Sequence, residues 1–344
     1  MTTIFSFGDL LRKVVRGVSN KRSREGGEVT LNDYVALYYE QVASGERRTQ
    51  KGVRFSQGTV RSVKQMMVQL NAFQTYMGRV YDWDDVDYAF RTAFLNYMYE
   101  VKRYNVNTAA KCINTLVTVL AAAYAEGCHQ NMKCLCRQFK ARRMEVDNVY
   151  LTKEELEAVK GVDLSGLSEM CGKARDLFLV GVYTAQRVSD YNNIGPENIV
   201  WCEDGGMIIN LKQKKTGVWV AIPVKDELRA ILEKYDYRLP RMAHQTLNHY
   251  IKVVAREAGI DEPVTVQTTR GGIPVLETKP KSELVHSHTA RRTGATLMYL
   301  AGMDAFNICS MTGHSSVAML RRYIKADKFE RARVIRRDEA FDKW

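Results

Sequence analysis

From Leu31 to Arg143 the chain contains no proline, and its apolar residues return every three or four positions. Proline inside a helix removes a backbone donor and clashes with the preceding turn, so this stretch is free to run as helices. The spacing predicts helices over 31–43, 59–76, 86–102 and 107–126, with a shorter fifth over 133–143. Thr30 or Asn32 can start the first, and a basic, glycine-containing loop at 45–58 precedes the second. A helical bundle is the economical fold, with most methionines and aromatics in its core. Residues 1–28 are basic and read as a flexible tail, able to touch phosphates or to stay solvated. At 140–147 the run KARRMEVD reads as a charged connector. Its Lys140, Arg142 and Arg143 either cross a DNA backbone or sit on an ordinary exposed linker.

Beyond residue 150 the pattern becomes mixed. Thr152 followed three residues later by Glu155 is a capping box, which starts a helix. A longer helix over 168–185 runs into Gln186-Arg187-Val188-Ser189-Asp190. Three strand-like stretches follow at 198–201, 207–211 and 218–224, with turn residues at 203–206 and 214–217. Helices are expected at 226–235 and 243–258, the second closed by Gly259. Stretches 264–269 and 273–278 flank Arg270-Gly271-Gly272 as a hairpin. The fold class is therefore mainly α with a small β component. The division is a tail at 1–28, a helical domain at 29–143, a linker at 144–150, an α+β domain at 151–326 and a tail helix at 327–344. That last helix sets Phe329, Val334 or Ile335, and Phe341 on one side.

A chain of 344 residues is long enough for two cores, and its net charge of +12 favours a polyanionic partner over a small acidic substrate. No apolar run approaches the ~20 residues of a membrane span, and the first apolar stretch is too short for a signal peptide. The expectation is a cytosolic protein acting on DNA, in the nucleoid of a bacterial host. Seven scattered cysteines, an odd number, point to reduced thiols rather than a disulfide framework. Cys128-His129 with Cys134 and Cys136 lacks a second ligand pair at zinc-finger spacing, so a structural zinc is not expected.

The chemistry concentrates between Ser287 and Tyr323. His288 and Arg291, three apart, share a helix face if a helix starts near Ser287. Gly313-His314-Ser315-Ser316 reads as a tight turn entering another helix, and Tyr323 follows it. Arginine reads a phosphate in two-pronged fashion, and imidazole can hydrogen-bond to it or carry a proton. Two histidines, an arginine and a tyrosine thus suit an anionic centre attacked by a phenolic oxygen.

His288-Thr289-Ala290-Arg291, then Thr312-Gly313-His314, then Tyr323 resemble the C-terminal signature of the tyrosine recombinases, the phage integrase family. The dialect SHTARRT, TGHSS, Y is most similar to integrases of mobile elements in Bacteroides-type bacteria. The same resemblance makes Arg187 the first signature arginine, with Asp190 placed to turn its fork toward a phosphate. It makes Lys215, eight residues before Pro223, the β-hairpin lysine, with Lys214 the rival by one position. His286 is read as incidental. Arg292 stands where many relatives have histidine and is a further DNA-contact candidate. Met319-Leu320 stands where relatives often carry threonines.

The resemblance implies a helical core-binding domain and an α+β catalytic domain. It implies covalent chemistry in which Tyr323 becomes a 3′-phosphotyrosine, needing no ATP and no metal. Arg187, Arg291 and His314 would hold the phosphorane, His288 would accept the phenol proton, and Lys215 would protonate the departing 5′ oxygen. The partners implied are double-stranded DNA and three further copies in a tetramer, with host bending or directionality factors. A free monomer and a tail helix exchanged between protomers are compatible with it. Residues 1–30 are too few for the arm-binding domain of some relatives. A type IB topoisomerase, with the same phosphotyrosine chemistry, and a catalytically inert DNA-binding accessory protein are the alternatives.

Overall fold

The computed structural model describes residues 29–145, 147–338 and 341. The expected tail at 1–28 and most of the chain beyond Asp338 lie outside the described residues. The described residues divide into two compact units, one holding 29–145 with Gln267–Leu276, the other Asp147–Val266 with 277–338 and 341. The sequence division had assigned 267–276 to the second.

The first unit contains α1 (Leu31–Ser44), α2 (Gln57–Met77), α3 (Tyr88–Asn96) and α4 (Val106–Ala125). Each begins where a side-chain oxygen takes up an orphan backbone N–H: Thr30, Ser56, Asp87 and Asn105. Phe73 sits at the centre of the core, its ring against those of Tyr81, Phe90, Phe94 and Tyr97. By length and composition α4 could cross a membrane, but its apolar face, including Ile113, Leu116 and Leu120, is buried in this bundle.

One sequence expectation holds here with its ends trimmed and one fails. The 86–102 helix is shorter, because Asp82 and Asp85 build a separate turn and Asp87 caps α3 after it. Past Asn96 the helix widens into the wider turns of Tyr97–Val101 and stops at Arg103, φ +55°. No α-helix forms over 133–143. Single turns at Lys133–Leu135 and Arg137–Phe139 are separated by extended Cys136, and Lys140, also extended, ends the second. Asn114 exchanges two hydrogen bonds with the backbone of Ala141 (2.9 and 3.1 Å), and Asn107 two with Met144 (both 3.0 Å). These amides satisfy backbone groups that a helix would have satisfied itself. The connector is therefore laid along α4 up to Met144, with Lys140, Arg142 and Arg143 exposed. His129 has both ring nitrogens engaged in the fold: Nδ1 accepts from Asn131 N, so Nε2–H donates to Leu120 O, 3.0 Å.

The second unit opens with the Thr152–Glu155 capping box, formed in both directions, and α5 (Lys153–Gly161). Then come α6 (Glu169–Thr184), α7 (Val188–Tyr191) and an antiparallel sheet of β1 (Ile199–Trp201), β2 (Met207–Lys212) and β3 (Trp219–Pro223) in that order. Ile209, paired with Ile199 and Ile222, lies with Leu211 and Val220 on the buried face. The chain continues through α8 (Asp226–Lys234), α9 (His244–Glu257) and the hairpin β4 (Pro263–Arg270) and β5 (Ile273–Pro280). Gly271 and Gly272 have φ +57° and +79°, the pair of positive angles that a two-residue hairpin turn requires. Last come α10 (Lys281–Leu284), α11 (Ser287–Leu300), α12 (Ala305–Thr312), α13 (Val317–Arg321) and α14 (Lys328–Arg336). Phe329 and Ile335 are exposed, and Glu330 accepts a hydrogen bond from Tyr150 Oη.

The site depends on the crossing of α6 and α11. A Cβ at Gly294 would lie 2.1 Å from the carbonyl oxygen of Val182. At Gly181 it would lie 2.7 Å from the Tyr191 ring and 3.0 Å from the Ala290 methyl. The two backbones nearly touch, which brings the C-terminal end of α6 under the first turns of α11.

Candidate active site

His286 starts α11, its Nδ1 accepting from Thr289 N at 3.1 Å, so the histidine read as incidental caps the helix that carries His288 and Arg291. Arg291 points inward and is fully buried. Its Nη1 donates to Ala185 O (2.9 Å) and its Nη2 to Thr312 O (2.9 Å) and His314 Nε2 (3.0 Å). Its buried Nε has no hydrogen-bond partner. Ala185 ends α6 in the left-handed conformation, φ +49°, which turns its carbonyl toward the guanidinium.

These bonds assign the His314 tautomer. A guanidinium only donates, so His314 Nε2 is an acceptor. Thr312 Oγ1 donates to Ile308 O at 2.6 Å and therefore accepts from His314 Nδ1–H at 2.7 Å. His314 is neutral, with its proton on Nδ1. Burial, then the charges of Arg291 and Arg187, lower its pKa to about 3. His288 is lowered to about 4 by burial, then Arg292, His286, Arg291 and Arg187. Burial and Arg187 also pull Arg291 below its ordinary value.

Tyr323 stands among these groups. Its ring centroid is 4.5 Å from that of His314, 5.5 Å from that of His288 and 5.2 Å from Arg291 Cζ. Ser316 caps α13, whose Leu320 packs with Ala295 and Ile308 in a small apolar cluster that also takes Tyr323 and Ile324. Leu320, one of the residues standing where relatives have threonine, thus acts in packing. Thr296 on α11 secures the segment, accepting from Lys325 N at 3.0 Å and donating to Tyr323 O at 3.4 Å.

Arg187 lies between α6 and α7, paired with Asp190 at ion-pair distance but hydrogen-bonded to a different group. Its Nη1 is 3.9 Å from Asp190 Oδ2, too far for a hydrogen bond, and 3.3 Å from Gln213 Oε1. Asp190 is buried and accepts instead from Lys214 N at 2.9 Å. Lys214 and Lys215 have exposed side chains on the β2–β3 turn, so Lys215 is not gathered into the cluster. Arg292 is half-buried, its Nη1 without a hydrogen-bond partner. Gln213, Gln186 and Thr296 escaped sequence reasoning, since uncharged side chains bonded to backbone leave no spacing signature. In the first unit a groove of about 900 Å³ is lined by Arg61, Gln65, Asn105, Lys111 and Arg143; of these only Arg143 was among the sequence candidates.

The profile of the phage integrase SAM-like domain matches residues 31–139, and that of the phage integrase family matches 149–330. A search of curated proteins finds no match. Among solved structures, a lambda integrase dimer bound to a COC′ core site superposes with a TM-score of 0.59 at 22% identity, covering 87% of this chain and 98% of that one. A lambda integrase tetramer bound to a Holliday junction gives 0.59 at 21%, covering 90% and 83%. The Tn1549 transposon integrase with a circular intermediate DNA gives 0.60 at 15%, covering 87% and 97%. These likenesses are of fold, while the profile covers more than half of the chain and every signature residue. The chain belongs to the phage integrase family, the tyrosine recombinases that break and rejoin DNA strands.

Proposed function

We propose that this chain is a site-specific recombinase that cuts and rejoins duplex DNA through a 3′-phosphotyrosine on Tyr323, integrating or excising a mobile element. The observation that carries the reading is the meeting of Tyr323 with two neutral imidazoles and a buried arginine. Arg187 and Arg291 would hold the non-bridging oxygens, with the unpartnered Nε of Arg291 and Nη1 of Arg292 as further donors. The phenol oxygen attacks phosphorus as its proton passes to His288, which is neutral in the free site and whose basicity, lowered there by burial and the arginines, rises once the phosphate offsets their charge. The Oη–P bond forms, the P–O5′ bond breaks, and Lys215, carried in from its exposed turn, supplies a proton to the leaving 5′ oxygen. His314 accepts from Arg291, which fixes that guanidinium; in this tautomer its Nε2 carries no proton to donate to the phosphorane. The phosphodiester energy is kept in the tyrosyl link, so the scheme has no step for ATP, nor for a metal ion.

The lambda integrase structures are a DNA-bound dimer and a tetramer on a Holliday junction, which supports a homotetramer assembling on DNA. The transposon integrase with its circular intermediate supports the mobile-element role. The test is a nicked suicide duplex selected by the wild-type chain from a pool with a randomised centre. A covalent adduct that survives chelator and disappears with Tyr323→Phe is expected, and exchange between two labelled duplexes should follow. No adduct with any duplex, or an adduct that persists in Tyr323→Phe, would overturn the proposal; adduct without exchange would favour a topoisomerase.

A further inference from the structure

The side chain of Gln213 is buried, 1% exposed, and its amide meets Arg187, Gln186, Thr216 and the turn at Thr312–Gly313. Its Nε2 donates to Gln186 Oε1 (2.6 Å) and Thr312 O (2.8 Å). Its Oε1 accepts from Arg187 Nη1 (3.3 Å) and from Thr216 Oγ1 (2.7 Å). The amide cannot be reversed. Gln186 Nε2 already donates to Thr184 O and Met311 O, which only accept, so Gln186 turns its oxygen to Gln213 and must meet an N–H there. Thr312 O is also an acceptor for Arg291, and a Cβ at Gly313 would lie 2.5 Å from Gln213 Nε2. One uncharged group therefore joins Arg187, the turn bearing Lys214 and Lys215, and the Thr312–His314 turn.

The choice of an amide has an electrostatic consequence. A carboxylate at that place would orient the Arg187 fork and neutralise it, competing with a phosphate for the same charge. The nearest carboxylate, Asp190, is held at 3.9 Å, its Oδ1 bonded to Lys214 N. We propose that Gln213 is the positioning residue of this site, aiming Arg187 and anchoring the lysine turn while leaving the cationic charge for the scissile phosphate. The inference rests on the recombinase reading above.

Two variants test it, Gln213→Met, which removes all four hydrogen bonds at similar size, and Gln213→Glu, which keeps the acceptor but adds charge. With the selected nicked duplex as probe, single-turnover adduct formation at about pH 8 should slow about 30- to 100-fold in both, as for a misaimed transition-state donor. Duplex affinity should stay within about threefold of wild type, because most of it comes from other phosphate contacts. At the same pH Gln213→Glu should be no faster than Gln213→Met, since a carboxylate held ionised by Arg187 cancels that arginine's charge and offers no donor to Gln186 or Thr312. Should Gln213→Met not fold, the rate and affinity of Gln213→Glu decide. Rates within about threefold of wild type, a deficit matched by lost affinity, or a Gln213→Glu faster than Gln213→Met would overturn the assignment. Failure of the wild-type chain itself to form adduct would instead overturn the recombinase reading, and this inference with it.

Discussion

Replacing Gly294 by alanine is the sharpest test of how the site is held. In a helix interior this change normally stabilises by about 1 kcal/mol. Here the new methyl would sit 2.1 Å from Val182 O, where a carbon–oxygen contact needs about 3.3 Å. The obstacle is helix backbone and cannot rotate away, so α6 and α11 must part by about 1 Å. Ala185, at the end of α6, would move with it, stretching the 2.9 Å bond from Arg291 beyond hydrogen-bonding range. Overpacking costs about 1–3 kcal/mol and the weakened bond to a buried cation about 1.5–3, so after the propensity gain a net loss of about 3 kcal/mol is expected. In a unit of this size that corresponds to about 6–12 °C in Tm, and a guanidinium displaced by about 1 Å should slow adduct formation about 100-fold. Gly172→Ala is the control, lying on α6 with nothing within 4 Å of the added Cβ, and should be neutral or slightly stabilising. Paired thermal melts and adduct rates measure both. A Gly294→Ala protein as stable as wild type would refute the close crossing and the account of Arg291 built on it.

Thr296→Val keeps shape but loses the hydroxyl at Lys325 N and Tyr323 O; hydrogen exchange around Tyr323 should speed up and adduct formation fall about tenfold with duplex affinity unchanged. Stability should also depend on pH through His288 and His314, whose folded pKa values, about 4 and about 3, lie below that of free imidazole. The unfolded chain then binds protons that the folded one refuses, so this contribution is full above about pH 6.5 and declines as pH falls toward those values. Melts at about pH 7 and pH 5, a window above most carboxylate titration, should show the decline in wild type and a smaller one in His288→Gln; a rise on acidification would contradict the tautomer assignment.

Much of the molecule was legible because the signals were local. Thr152 and Glu155 announce a helix start within four residues, and Gly271-Gly272 a turn within two. The signature groups were legible for another reason: side chains able to serve a phosphate were too many and too ordered for a core. What stayed hidden was long-range and uncharged. The helix expected over 133–143 gave way to amides of Asn107 and Asn114 far back in the chain, which no window of periodicity contains. Asp190 was matched to Arg187 from a three-residue offset, but an offset carries no distance, and the carboxylate turned to Lys214 N while Gln213 took the nearer place. Lys215 was legible by its distance from Pro223, whereas its exposed position depends on the turn of a folded hairpin.

The same electrostatics that depress the imidazoles say what the free site lacks. Arg187 lowers the pKa of Arg291, and Arg187, Arg291 and Arg292 all disfavour protonation of His288. Two buried guanidinium nitrogens in this group have no hydrogen-bond partner. Such a cluster favours an oxyanion and is worse off without one. Sulfate, tetrahedral like the scissile phosphodiester but with two charges rather than one, should therefore stabilise the second unit beyond its effect as a salt. At ten times its Kd the gain would be about 1.4 kcal/mol, or about 3–6 °C in Tm. Sodium chloride at matched ionic strength separates binding from screening. In Arg187→Gln, with one arm of the clamp removed, the excess should shrink markedly. Equal melting in sulfate and chloride would mean that the three arginines do not form one anion site, and that the phosphate must be held by a different arrangement than the one these side chains occupy.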